Sequence, residues 1–275
     1  MKITYKNFNP FLKNVFNFLI HKKYTSAYIY HLILNQSIQI NGQVVMHRYQ
    51  KIKLFDQIEI TLLLENNNLN FSSQPIDIIY EDDYILIVNK KKGEEIEPVI
   101  HHYQDTLANK ITFYYQQQKI ASKIHFINRL DKMTAGIVVL AKNAYIHHLF
   151  SFVKMKKMYT ASVKGKTLKR QTIQCFIQKS EDGVKRIVDK KGKLSITKIF
   201  RISYKNGVSQ IRIRLLTGRT HQIRVSLNYI NHPLLGDVLY NDKATSYDCF
   251  DLKASSLTFK HPILKKRISI KIIDK

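Results

Sequence analysis

The chain has 275 residues, of which 44% are apolar, 24% charged and 11% aromatic, enough to bury a sizeable core and too apolar for a disordered chain. The 45 Lys and Arg against 20 Asp and Glu leave a net charge of +25, a field that favours polyanions, nucleic acid before an anionic membrane. Two cysteines, Cys175 and Cys249, exclude a disulfide scaffold and a cysteine-built zinc site, and no apolar run approaches the roughly 18 residues of a membrane span. Met1 to Pro10 lacks the apolar core of a signal peptide, so a cytoplasmic location is expected.

Ser26 to Asn35 reads as a helix, with Ile29, Leu32 and Ile33 at helical spacing. Ile38 to Ile40, the turn Asn41-Gly42 and Val44-Val45 form a hairpin pattern. Lys51 to Leu64 follows as a strand in which Ile58, Ile60 and Leu62 alternate. Glu65 to Pro75 is rich in Asn and Ser and loses apolar periodicity, which predicts a linker. The expected division is a small module over residues 1–72 and a larger domain over 73–275. Residues 1–65 carry 8 basic and 3 acidic residues, so most of the positive field belongs to the larger part.

That part opens with strands at Ile76–Tyr80 and Tyr84–Val88 around an acidic turn. Asp105 is placed to cap a helix running through Tyr115. Ile137–Leu140 is a short buried strand, and Asn143 can cap a helix carrying Ile146, Leu149, Phe150 and Val153 on one face. Tyr159–Val163 returns to strand. Ile199–Tyr204 and Ser209–Leu216 pair as antiparallel strands, the second alternating Ile211, Ile213 and Leu215 with Arg212 and Arg214. A helix from Thr220 turns Ile223, Leu227 and Ile230 inward. Interleaved helices and antiparallel pairs predict an α+β fold: a mixed, largely antiparallel sheet flanked by helices, preceded by a small α/β module.

Several chemistries are absent from the sequence. It has no glycine-rich phosphate loop, no Gly-x-Ser-x-Gly elbow and no His-Glu-x-x-His. His101-His102 and His147-His148 are sequence neighbours and do not share a helix face, so no metal site is expected. Three polar segments in apolar surroundings remain. Asn128 to Gly136 places Asp131 between Arg129 and Lys132, cations that favour its charged form, although a structural acid capping a turn fits the same residues. Thr217 to Arg224 offers a turn at Gly218, a helix N-terminus and the reach of Arg219, His221 and Arg224 to an anion; a solvated basic first turn fits equally. Lys157 to Val163 starts a strand with Tyr159, a ring suited to a core or to stacking on a base.

Together these segments carry a resemblance. Asn128 to Leu140, NRLDKMTAGIVVL, resembles the catalytic motif of pseudouridine synthases of the RluA-like group, usually His-Arg-Leu-Asp-x-x-Thr-Ser-Gly before an apolar strand. Thr217 to Asp237 looks like the long second motif of that family, Lys157 to Gly165 its Lys-x-Tyr-x-Ala segment, and Ile79 to Gly93 its opening strand pair. Asn128 stands where the family has His, Ala135 where it has Ser, Lys91 where Pro often follows the strand-end Lys, and Ser226 where His is common. The first 72 residues are similar, more weakly, to the small RNA-binding domain named after ribosomal protein S-four, through the helix and Ile40-Asn41-Gly42.

The resemblance implies an RNA pseudouridine synthase in which Asp131 is the catalytic carboxylate, Tyr159 stacks on the target uracil and Arg224 pairs with Asp131. It implies RNA contacts from Arg129, Lys157, Arg219, His221 and Gln222. An isomerisation needs no cofactor. The expected partner is RNA, ribosomal first and transfer RNA second, handled by a monomer away from membranes. Two other classes fit the composition: a non-catalytic RNA-binding or ribosome-assembly protein, and a basic nuclease using His221 or His125.

Overall fold

A computed structural model describes residues 1–99 and 104–272; His101 and His102 lie outside it. The chain begins with β1 (Lys2–Lys6), α1 (Val15–His21), α2 (Ser26–Leu34), β2 (Ile38–Ile40), β3 (Gln43–Val44) and β4 (Gln57–Thr61). The strands form a four-stranded sheet in the order β1-β4-β2-β3. Asn41 (φ 49°) and Gly42 (φ 84°) make the two-residue turn expected between β2 and β3. The strand predicted from Lys51 shrinks to β4, because Phe55 adopts φ 69° and Asp56 closes a turn onto Lys53.

The larger sheet follows. Its elements are β5 (Ile78–Glu81), β6 (Ile85–Lys90), α3 (Leu107–Gln117), β7 (His125–Phe126), β8 (Ala135–Ala141), α4 (Ala144–Leu149), β9 (Lys156–Lys164) and β10 (Arg170–Lys179). Then come β11 (Arg186–Val188), β12 (Lys193–Lys205), β13 (Val208–Leu215), α5 (Gln222–Tyr229), β14 (Leu252–Lys260) and β15 (Arg267–Lys271). Eleven strands run in the order β11-β10-β12-β13-β9-β14-β8-β6-β5, with β15 on β14 and β7 on β8. Of the pairings given, only β14–β8 is parallel, so the sheet is mixed and largely antiparallel, as the sequence predicts. Ile211 and Ile213 on β13 are fully buried while Arg212 is exposed, the alternation of a half-buried strand.

Two helix starts differ from expectation. The first residue of α3 follows Thr106, whose hydroxyl accepts from Asn109 N while the Asn109 side chain returns to Thr106 N. This reciprocal cap leaves Asp105 one residue too early, held instead by Ser72 Oγ at 2.6 Å. α5 begins at Gln222 rather than Thr220, because His221 sits at φ 54° and cannot continue a right-handed helix backwards. Asn143 caps α4 as predicted, accepting from Tyr145 N at 2.8 Å.

Residues 62–77 contain no helix or strand, yet they are not a free linker. The Glu65 carboxylate accepts from Lys123 N and Ala144 N and meets His125 Nε2 at 2.6 Å. Asn67 Nδ2 donates to Thr112 Oγ1, and Asn109 Nδ2 donates to Asn70 O. Above this strap, Tyr24 stacks on Tyr145 with centroids 3.8 Å apart, and Tyr145 Oη donates to Lys22 O. One apolar cluster runs without a break from Phe18, Leu19 and Ile60 to Ile87, Val139 and Ile146. The two sheets therefore share a core.

Candidate active site

Asp131 lies on the loop between β7 and β8. Asn128 fastens that loop: its Nδ2 donates to Ile137 O and its Oδ1 accepts from Val139 N. At the far end Gly136 adopts φ 113°, and a Cβ there would lie 2.4 Å from Ala254 O on the parallel neighbour β14. No larger residue lets β8 and β14 approach this closely. From below, Lys90 at the end of β6 is wholly buried and donates to Lys91 O, Glu94 O and Lys132 O. Burial lowers the Lys90 pKa to about 8, against the opposing pull of Glu94 and Asp131. The Asp131 side chain is left 30% exposed at the surface of a cleft.

Arg224 reaches Asp131 from the first turn of α5. Its Nη1 lies 3.6 Å from Asp131 Oδ2, while Nε and Nη2 donate to the Asp237 carboxylate at 2.8 and 2.7 Å. Asp237 is fully buried. Burial opposes the charge on Arg224, but the Asp237 hydrogen bonds outweigh it and raise its pKa. The guanidinium also lies over the rings of Tyr240 and Phe250, at 5.0 and 5.7 Å. The geometry is unequal by construction. Asp237 takes the bidentate face of Arg224, and Asp131 receives a longer contact at one oxygen only.

His221 approaches from the same side. Its Nε2 is 3.9 Å from Asp131 Oδ2, and its Nδ1 is 2.8 Å from Tyr240 Oη. Arg186 N donates to that same oxygen. Burial lowers the His221 pKa, with Asp131 pulling the other way, which favours a neutral imidazole. Its left-handed backbone is a strained conformation of the kind found at functional sites.

Tyr159 on β9 is 7% exposed, and burial, then the Asp131 charge, raises its pKa, so it stays a phenol. Lys157 lies two residues before it on the same strand face, with its pKa lowered by burial. Asp131, Tyr159, Lys157, Arg129, Arg219 and His221 line one cleft of about 930 Å³. Arg129 is largely exposed and donates to Glu97 at 3.0 Å; Arg219 Nε donates to Leu194 O.

Gln222, expected at the RNA surface, faces inward and is 2% exposed. Its Oε1 accepts from Thr217 Oγ1 and Arg219 N, and its Nε2 donates to Ile196 O and Thr197 Oγ1. It pins the Thr217–Arg219 turn, and it occupies an N–H that the sequence suggested was free for an anion. Two residues of the site had no role assigned from sequence, Asp237 and Tyr240. The signal for Asp237 was present: an acid behind Gly236, closing a motif in a strongly basic domain. Among the described residues, no group of three or more His, Cys, Asp or Glu is arranged to hold a metal ion.

An acid set against a buried arginine at a cleft of a strongly basic chain suits an enzyme that acts on a polyanion, and the comparisons give its kind. A family model for RNA pseudouridylate synthase matches residues 84–229. An uncharacterized RNA pseudouridine synthase of Bacillus subtilis is 30% identical over 239 residues, covering 84% of each chain. The ribosomal large subunit pseudouridine synthase D of Blochmanniella floridana is 35% identical over 247 residues, covering 85% of this chain and 76% of the relative. The human protein RNA pseudouridylate synthase domain containing 1 has the same fold, with a TM-score of 0.60 at 24% identity over 74% of this chain and 85% of that one. The chain belongs to the RNA pseudouridylate synthase family, enzymes that isomerise uridine to pseudouridine in RNA.

Proposed function

We propose that this enzyme modifies ribosomal RNA, that Asp131 is its essential carboxylate, and that the first 72 residues form an S-four-type RNA-binding module. The carrying observation for the site is the asymmetric pair: Arg224 bound twice to buried Asp237 and once, at 3.6 Å, to the half-exposed Asp131 beside Tyr159. Isomerisation breaks the bond from ribose C1′ to uracil N1, turns the base and forms a bond from C1′ to C5. C5 then gives up its proton and N1 gains one, so nothing is supplied from outside. The target nucleotide must first leave its stack.

Positive charge develops at the sugar as the C1′–N1 bond breaks. A carboxylate at that point stabilises it, as a nucleophile at C1′ or as a base. Asp131 is suited to this because Arg224 Nη1 and His221 Nε2 lie 3.6 and 3.9 Å from the same oxygen, Oδ2, while the side chain stays 30% exposed to the cleft. Tyr159 would hold the freed uracil by its face and keep water from it. Arg129, Lys157 and Arg219 would bind the distorted backbone, and Gln222 would shape their loop without touching RNA.

Ribosomal RNA is supported by relatives that carry it in their names: several bacterial proteins called ribosomal large subunit pseudouridine synthase D match most of this chain. The same reading places the enzyme in the cytoplasm, acting as a monomer; among the described residues no helix is long and apolar enough to cross a membrane. The test is pseudouridine mapping of total RNA from cells with and without this protein. Loss of a site in large-subunit ribosomal RNA is expected. Loss confined to transfer RNA would refute the ribosomal assignment, and an unchanged map would refute both.

A further inference from the structure

Away from the cleft, two segments of the N-terminal module run side by side. Phe55 N donates to Asn7 O, Ile52 N to Lys13 O, Val15 N to Gln50 O and Phe16 N to Arg48 O, so residues 6–16 and 48–56 form an antiparallel ribbon. Four rings stand out from it: Phe8 is 70% exposed, Phe11 84%, Phe55 59% and Tyr49 56%. Phe8 and Phe55 meet edge to face with centroids 6.1 Å apart, and exposed apolar groups packed together in this way mark a binding surface. Cations lie against them. Lys6 Nζ is 5.9 and 5.6 Å from the rings of Phe8 and Phe55, and Arg48 lies 4.8 Å from that of Tyr49.

The two segments contain Lys6, Lys13, Arg48, Lys51 and Lys53 against one acid, Asp56. The Asp56 carboxylate is already held by Lys53 N and Asn41 Nδ2. None of these residues lines the cleft. The helices of the module do not supply an equivalent face: α1 and α2 contain no Lys or Arg.

We propose that the 6–16/48–56 ribbon is a second RNA site, one that takes an unpaired strand, with Phe8, Phe11, Phe55 and Tyr49 stacking on bases and the five cations meeting phosphates. Exposed rings offer faces on which unpaired bases stack while the cations beside them meet the backbone, whereas a duplex hides its base faces. The proposal rests on RNA being the polymer this enzyme handles and names which surface holds a segment outside the reacting uridine.

The probe is a fluorescent 15-nucleotide oligoadenylate, which contains no uridine and cannot be a substrate. Full-length protein is titrated with it in parallel with a duplex of equal length. The single strand should bind more tightly. Phe8→Ser/Phe11→Ser/Phe55→Ser should weaken its binding by about tenfold or more, because each base stack lost costs on that order. The slope of log affinity against log salt should stay nearly unchanged. Lys6→Gln/Arg48→Gln, which keeps the three phenylalanines, should instead reduce the magnitude of that slope by about 1.4 for two phosphates on a single strand. Melting temperatures near the parent value verify folding.

Equal affinity of the ring variant and the parent overturns the proposal, as does a preference for duplex. Loss of binding to phosphatidylserine vesicles with oligoadenylate binding intact would assign the ribbon to a membrane instead. Absence of isomerisation by the parent protein would strike the enzymatic reading and leave the ribbon result standing.

Discussion

The active-site region and the N-terminal ribbon both carry cations, but they hold them in opposite ways. At the cleft wall Arg224 is 6% exposed and fixed by two hydrogen bonds to a buried carboxylate, and beneath the Asp131 loop Lys90 is wholly buried against three carbonyls. In the ribbon, Lys6 and Arg48 are exposed and lean on rings. Charge that must stabilise a reacting centre is immobilised before the substrate arrives, because reorganisation at the moment of reaction would raise the barrier. Charge that only holds a polymer keeps its mobility and exchanges counterions for phosphates.

The sharpest way to break this contrast is to remove the hidden anchor of the cleft. Asp237→Asn leaves Arg224 buried beside a neutral amide, and breaking such a pair typically costs about 3–5 kcal/mol. Urea unfolding should show a loss of that size, and isomerisation should fall with it, since Arg224 is then free to collapse onto Asp131. Arg224→Met/Asp237→Leu, which removes both charges, should recover much of the stability and none of the activity. A stable and active Asp237→Asn would show that the anchor is dispensable.

Much of this was legible in the sequence. Asp131, Tyr159 and Arg224 were singled out through the resemblance of their segments to known motifs, since the residues alone fit a structural acid, a core ring and a solvated turn as well, and the structure brings all three to one cleft or its wall. The mixed sheet could be read from paired strands joined by short turns. What could not be read was side-chain direction at an irregular start. Gln222 lies in a basic segment and looks like a contact residue, but the left-handed His221 rotates it into the core. The Glu65–Pro75 stretch has the composition of a linker. Its fixation comes from backbone and side-chain groups distant in sequence, such as Thr112 and Ala144, 45 and 79 residues from their partners.

A second test addresses Lys90. Its folded pKa is about 8, lowered from 10.5, so between these values the unfolded chain holds more protons than the folded one. The contribution of this group to stability therefore rises with pH from about 8 to about 10.5 and is at its lowest below 8. Lys90→Met lacks the slope. Denaturation at pH 7.5, 9 and 10.5 should show the parent gaining on the variant; a constant difference would mean that the buried ammonium is not strained.

The smallest effect belongs to Arg129, a cleft residue that behaves like the ribbon. Its pair with Glu97 is exposed on both sides, and such pairs contribute at most about 1 kcal/mol. Arg129→Ala should leave unfolding almost unchanged and lower the salt slope of RNA binding by a little under one unit. A stability loss of several kcal/mol would place Arg129 among the anchored charges.

The central claim is that Asp131 does the chemistry. Purified parent protein and Asp131→Asn are each incubated with ribosomal RNA tritiated at uracil C5, where tritium leaves only when the new carbon–carbon bond replaces it. Asn keeps the volume of the side chain and removes its charge. The parent should release tritium, and the variant should release it about a thousandfold more slowly or not at all while binding RNA and melting like the parent. Release by the variant above about a hundredth of the parent rate would contradict the assignment.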